Sequence, residues 1–309
     1  MPAPPSASAD EIRDVNTRYH DGAAAGYDAK WGIDYGEVGQ DQVLGKVRKA
    51  LGASGRLPTF PRSLEIGAGT GYFTLNLLRA GVIDDAVAMD ISPGMLRALD
   101  ATAKRLDMNV RTIAGDAESL PFAGGSFDLV LGHAVLHHLP DLDRAMAECA
   151  RVLAPGGTMA FMGEPSRHGD RLAAAPKRFG AIAEPAWRRV MRATPKSNGS
   201  SAEPHAEETY GALEGLVDVH TFTPGDLTAL ARRAGFTGVR VCGEELVANM
   251  YGWFLRRLES NVEPDTVPHG WHVFAFRSYL ALQGLDGRLL EPRLPASLFY
   301  NLMVSGRKP

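Results

Sequence analysis

From Leu64 to Glu164 short apolar runs alternate with stretches of helical spacing, the pattern of a parallel sheet whose strands are joined by crossover helices. The pattern predicts strands near 62–67, 86–91, 109–115, 127–132 and 158–163, with helices over 72–80, 93–105 and 142–153 between them. Ser92-Pro93 is an N-cap followed by proline at the first helical position, so the second of these helices has a defined start. Pro155-Gly156-Gly157 is read as the stop of the third helix and the turn into the fifth strand.

After Pro165 the rhythm breaks. It returns at Thr223-Pro224-Gly225-Asp226, which opens a helix through Ala234, followed by strands over 238–243 and 298–305. The expected organisation is a disordered stretch 1–15, a core 16–164 with N-terminal cover helices, a helical insertion or lid 165–222, and a completion of the core 223–309. That last part carries an aromatic-rich insertion at 247–293, whose Trp253, Phe254, Trp271, Phe274, Phe276 and Tyr279 suit either a core or the wall of a pocket. Ser197-Asn198-Gly199-Ser200-Ser201 reads as a flexible tip, and no repeat of solenoid length is visible.

Composition narrows the function classes. A chain of 309 residues, 45% hydrophobic, with a formal net charge of -3 buries a large core and lacks the excess of Lys and Arg that sequence-independent nucleic-acid binding requires. Cys149 and Cys242 alone form neither a disulfide framework nor a CxxC pair, which fits a reducing cytoplasm. No signal-peptide core and no membrane-length apolar run occurs, so a soluble cytoplasmic protein is expected. One local departure is the basic segment 167–196, with Arg167, Arg171, Lys177, Arg178, Arg188, Arg189, Arg192 and Lys196 facing few acids. Three readings suit it: a solvated helical face, a lid over an acidic substrate, or a peripheral membrane contact.

The chemistry concentrates at the strand ends. A strand running into Gly67-Ala68-Gly69-Thr70-Gly71 and then a helix lets the backbone approach a ligand closely and offers free N–H groups. The dinucleotide fingerprint wants its third glycine where Tyr72 stands, so a pyrophosphate is the weaker ligand. Glu65, two residues before the first glycine, would repel a pyrophosphate and attract an ammonium group directly or through water. Asp90 ends the second strand, where doubly wound folds place the acid that accepts from ribose hydroxyls. Asp116 ends the third, with Ala117 beside it, and suits the edge of an adenine. Each acid alone is an ordinary turn or cap residue, but three at successive strand ends converge on the crevice where open α/β sheets bind ligands.

Leu64-Glu65-Ile66-Gly67-Ala68-Gly69-Thr70-Gly71 resembles motif I of the class I S-adenosylmethionine-dependent methyltransferases. Gly115 to Phe122, Phe127-Asp128-Leu129-Val130 and Arg151 to Gly157 are similar to the later motifs of the ubiquinone/menaquinone-biosynthesis-like (methyltransferase type 11) branch, over about Pro61 to Glu164. The resemblance implies a Rossmann-like α/β fold: a seven-stranded, mostly parallel sheet with an antiparallel last strand, helices on both faces, and S-adenosyl-L-methionine as cofactor. It further implies that Gly67 and Gly69, in the loop with Ala68 and Gly71, line the methionine part. Asp90 would hold the ribose, Ile91 pack on the adenine, and Asp116 with Ala117 read its edge. Tyr19 and the Tyr27-Asp28 pair look like the stretch that folds over the cofactor in these enzymes.

Direct in-line transfer of the methyl group to a small-molecule or lipid-like acceptor, through O-, N- or C-methylation, is the function this implies, and it rests mainly on alignment and exclusion of water. A base is needed only where the acceptor carries a proton at the reacting atom. His133, His137 and His138 follow the fourth strand; His133, nearest its end, is the first candidate for base or cofactor contact, and packing is the competing role for all three. Glu164, ending the fifth strand, is the second candidate against a role in capping. No metal-ligand spacing is present, and no metal is expected. A non-catalytic cofactor-binding protein of the same fold is the alternative; a nucleic-acid methyltransferase is weaker, since the DPPY-like tetrapeptide and the catalytic Pro-Cys are missing. The two insertions depart from the compact quinone-biosynthesis pattern and point to a different substrate.

Overall fold

The computed structural model describes residues 8–196 and 217–309; the tip expected at 197–201 and the rest of 197–216 lie outside the described residues. Seven strands form one sheet: β1 (Phe60–Ile66), β2 (Ile83–Asp90), β3 (Arg111–Ala114), β4 (Phe127–His133), β5 (Leu153–Pro165), β6 (Thr237–Glu244) and β7 (Asn301–Arg307). Their order is β3-β2-β1-β4-β5-β7-β6, with β7 antiparallel to both neighbours and the other pairs parallel. The order reverses at β1, so the crevice beyond the carboxyl ends of β1 and β4 is the switch point where such sheets take ligands.

Alternation along β4 builds the two sides of the core. Leu129 and Leu131 join the cluster formed with α3 (Glu37–Leu51) and α4 (Tyr72–Arg79), while Val130 joins that of α6 (Leu142–Val152) and α8 (Pro224–Arg233). Both faces are thereby covered, which is why the C-terminal halves of β1 and β2 are buried continuously rather than at alternate positions. Helix α5 (Pro93–Arg105) starts where Ser92 accepts a hydrogen bond from the Met95 amide, as the Ser-Pro pair predicts.

Three differences from the sequence reading have physical causes. Helix α1 (Ala9–Ala23) begins inside the stretch 1–15 expected to be disordered, because Ser8 and Glu11 form a reciprocal capping box at its start. Strand β5 begins at Leu153 rather than near 158: Gly156 N–H donates to the Lys308 carbonyl and Lys308 N–H to Gly157, so Pro155-Gly156-Gly157 lies within a paired strand. The segments read as an insertion at 165–222 and an aromatic-rich insertion at 247–293 contain α7 (Arg167–Met191), α9 (Val247–Glu259) and α10 (His269–Leu285), which pack in that order into a helical layer. A short helix, α2 (Tyr27–Trp31), follows α1. Among the described residues no helix is long and apolar enough to cross a membrane.

Candidate active site

The three glycines after β1 take two separate jobs. Gly67, Gly69 and Gly71 all have left-handed backbones (φ 64°, 54° and 90°), which side chains with a Cβ resist. A Cβ on Gly67 would lie 2.5 Å from Val135 Cγ2, and one on Gly71 2.8 Å from Leu99 Cγ, so these two let the loop pack on its neighbours. A Cβ on Gly69 would meet nothing within 4 Å; it would project into open space. That space is a cavity of about 720 Å³, measured out to its mouth, bounded by this loop, the ends of β2, β3 and β4, and α1.

Asp90 ties the loop to the second strand. Its two carboxylate oxygens accept from the amides of Gly69 and Ser92, both at 2.8 Å. Burial pushes its pKa up while those amides pull it down. Ile91, Gly115, Asp116 and Ala117 continue the wall. Asp116 Oδ1 accepts from the Glu118 amide at 2.9 Å, and Oδ2 pairs with Arg13 Nε at 2.8 Å. Arg13 also bonds the buried Glu118, so α1 is latched over the β3 end by one guanidinium on two acids. Asp21 extends the latch, accepting from the Gly94 amide at 2.6 Å and the Ser92 hydroxyl at 2.5 Å.

Beyond β4 the chain turns through Ala134, at φ 54°. Glu164, fully buried at the end of β5, holds this turn. Its carboxylate accepts from the amides of Val135, Leu136 and His137 at 3.0, 3.0 and 3.2 Å and pairs with His137 Nδ1 at 2.8 Å. His133 stacks on Phe73 with ring centroids 4.7 Å apart and presents its remaining face to the cavity. Burial pushes the His133 imidazole down to about 3, with the charge of Lys46 adding to it, so the ring is neutral at physiological pH.

The structure brings Gly67, Gly69, Asp90, Ile91, Asp116, Ala117, Tyr27 and His133 to one cavity. Glu65, Ala68, Gly71, Tyr19 and Glu164 do not line it, although Ala68 and Gly71 belong to the loop that bounds it. Glu65 faces the start of α4, where its carboxyl accepts from the Thr74 amide at 2.8 Å and bonds the Thr74 hydroxyl. Burial raises its pKa to about 8 against those hydrogen bonds. Tyr19 is buried edge-on against His20 at 5.1 Å rather than lining the wall. The hydrogen bonds of the Glu164 carboxylate are directed at the β4 turn.

Sequence reasoning missed the wall supplied by α1. Arg13, Asn16 and His20 line the cavity one helical turn apart, a spacing of 3 and 4 residues that the sequence carries. Asn16 is buried, its amide nitrogen donates to the Ile12 carbonyl, and its Oδ1 has no partner among the described residues. His137, His138 and Asp218 also converge, with Asp218 Oδ1 3.5 Å from His137 Nε2 and 3.4 Å from His138 Nδ1, although 80 residues separate them in the chain.

Comparison with known proteins decides the family. A methyltransferase domain model matches residues 64–161. The malonyl-[acyl-carrier protein] O-methyltransferase of Methylococcus capsulatus is 34% identical over 226 residues, covering 73% of this chain and 72% of that protein. The chain belongs to the class I S-adenosylmethionine-dependent methyltransferases. The demethylmenaquinone methyltransferase of Renibacterium salmoninarum is 35% identical over 162 residues, 52% of this chain and 60% of that one. Among solved structures, the Haemonchus contortus phosphoethanolamine N-methyltransferase 2 in complex with S-adenosyl-L-methionine aligns over 100% of this chain and 62% of its own, with a TM-score of 0.57 at 17% identity. The [4+2]-cyclase SpnF aligns over 99% and 98%, with a TM-score of 0.55 at 17% identity. These two share the fold. The methyltransferase cofactor is S-adenosylmethionine, and the mixed seven-stranded sheet expected from the resemblance is the one found.

Proposed function

We propose that this methyltransferase binds S-adenosylmethionine in the cavity beside Gly69 and passes the methyl group to a small-molecule or lipid-like acceptor whose reacting atom arrives already nucleophilic. The observation that supports this reading is the weakness of the two candidate bases: burial leaves His133 a weak one, with a pKa of about 3, and the Glu164 carboxylate is already engaged by the β4 turn. A carboxylate oxygen needs no base, and a malonyl carboxylate is the acceptor that the name of the Methylococcus relative implies for that protein.

The residues present fit the cofactor. Open space over Gly69 is the cradle that a Cβ would fill, and Asn16, whose buried Oδ1 has no partner among the described residues, lines the same cavity. Asp90, which lines the cavity, would accept from ribose hydroxyls; Ile91 would pack on the adenine, and Asp116 with the Ala117 amide would read its edge. Gly67 and Gly69 would pass along the methionine part, with Tyr27 over it. When bound, S-adenosylmethionine supplies an activated methyl group on a sulfonium with a good leaving group. The chain then has to hold the acceptor in line and keep water out, a contribution of about 7–11 kcal/mol in well-oriented systems. His133 and Phe73, stacked beneath the cavity floor, exclude water there.

The test is transfer of labelled methyl to three acceptors: a malonyl thioester, its neutral methyl ester, and a demethylmenaquinol. Label on the malonyl thioester alone supports the reading. Label only on the quinol overturns the pre-ionised acceptor, and binding of cofactor with no label transferred to any acceptor or to a cell extract favours a non-catalytic cofactor-binding protein.

A further inference from the structure

Helix α7 leaves the carboxyl edge of the sheet from Ser166, whose side chain accepts from the Gly169 amide, and runs for 25 residues. At 100° per residue its two faces separate cleanly. Ala173, Gly180 and Trp187 share the buried face; a Cβ on Gly180 would lie 2.8 Å from Arg257 Cβ and 2.9 Å from the Phe254 carbonyl, so this face is seated on α9. An outward ridge about 80° wide beside that face carries Phe179, Ile182 and Val190, which are 66%, 77% and 73% exposed. Ala186 falls between the last two at the same helical spacing. Three large apolar side chains so exposed on one ridge are more than the scattered exposure a soluble surface shows.

Charge runs alongside the ridge. Arg171, Arg178 and Arg189 are all exposed and fall within about 20° of one another on the helical wheel, at the edge of the apolar stripe. Residues 167–196 hold eight Lys and Arg against two acids, Asp170 and Glu184. Glu184 is buried and paired with Arg188, so it does not offset the exposed arginines. A stripe of Phe and Ile bordered by arginines that reach past it is the arrangement in which a helix lies in the plane of a bilayer, with apolar side chains among the acyl chains and guanidinium groups at the phosphates.

We infer that the outer face of α7 docks on an anionic membrane surface, with Phe179, Ile182 and Val190 inserted and Arg171, Arg178 and Arg189 on lipid phosphates. The contact is independent of which acceptor is methylated. It sets the carboxyl edge of the sheet, where the cofactor cavity opens, on the same side as the origin of α7.

Flotation of the full chain with vesicles tests it, using phosphatidylcholine alone and phosphatidylcholine mixed with phosphatidylglycerol. The protein is expected to float with the mixed vesicles and not with the neutral ones. Phe179→Ser and Ile182→Ser should each weaken partition about tenfold through the apolar area lost, and Arg178→Glu with Arg189→Glu should abolish it. Added salt should weaken the wild type. Because all these side chains are exposed, melting temperature and S-adenosylmethionine affinity should stay unchanged, which separates this contact from the cofactor site. Absence of vesicle binding, binding untouched by the four substitutions, or a solution dimer split by Ile182→Ser would overturn the proposal; the last result would make the ridge an interface between copies.

Discussion

Glu164 and His137 meet at 2.8 Å through Oε2 and Nδ1, at the centre of a turn whose three successive amides donate to the same carboxylate. A residue near the end of β5 thereby shapes the loop after β4 that forms one wall of the cavity. Replacing Glu164 by alanine leaves those donors buried and unpaired. A loss of about 3 kcal/mol or more is expected, read as a lowered urea midpoint without change in slope, together with weaker cofactor binding.

His133 touches the cavity, yet its pKa of about 3 makes it a poor base. His133→Asn should therefore retain methyl transfer within about tenfold, whereas a true general base is worth roughly 10²–10⁴-fold. The pH–rate profile of the wild type should show no inflection between pH 5 and 8 that disappears in the variant.

Glu65 makes stability depend on pH in an unusual direction for a carboxyl. Its folded pKa of about 8 lies above the ordinary 4.5, so the folded state holds a proton that the unfolded chain releases. Its contribution is full below pH 4.5 and is lost as pH rises through 8. Glu65→Gln, which keeps an acceptor for Thr74 without a charge to bury, should flatten the fall in melting temperature between pH 5 and 8.5. A wild-type profile that rises across this window relative to the variant would contradict the assignment.

Arg13 latches α1 through Asp116 and Glu118. Arg13→Ala should speed cofactor dissociation about tenfold, the order expected when one partly buried charge pair is removed from a cover, as measured by stopped-flow fluorescence. An unchanged rate would mean that α1 does not close the site.

Much of this site is legible in local patterns. The loop Gly67 to Gly71, the start of α5 at Pro93 and the acids closing β2 and β3 all follow from runs of residues adjacent in sequence, where backbone preference and burial point the same way. What escaped is what depends on distant partners. The face of β1 on which Glu65 sits does not disclose that Thr74 will claim its carboxyl, and Glu164 gains its role only from amides 27 to 29 residues away. The capping box at Ser8 and Glu11 was present in the sequence, but the proline-rich residues before it favoured a disordered reading for 1–15. Strand β5 was shortened because Pro155-Gly156-Gly157 has turn composition, while its pairing with Lys308 lies at the far end of the chain.

The central claim, that the cavity beside Gly69 is the S-adenosylmethionine site with Asp90 as its anchor, is tested most directly by calorimetric titration of the wild type and Asp90→Ala with S-adenosylmethionine. One site per chain is expected, weakened about tenfold to a hundredfold in the variant through lost charge-assisted hydrogen bonds. No binding by the wild type, or equal affinity in a folded Asp90→Ala protein, would contradict it.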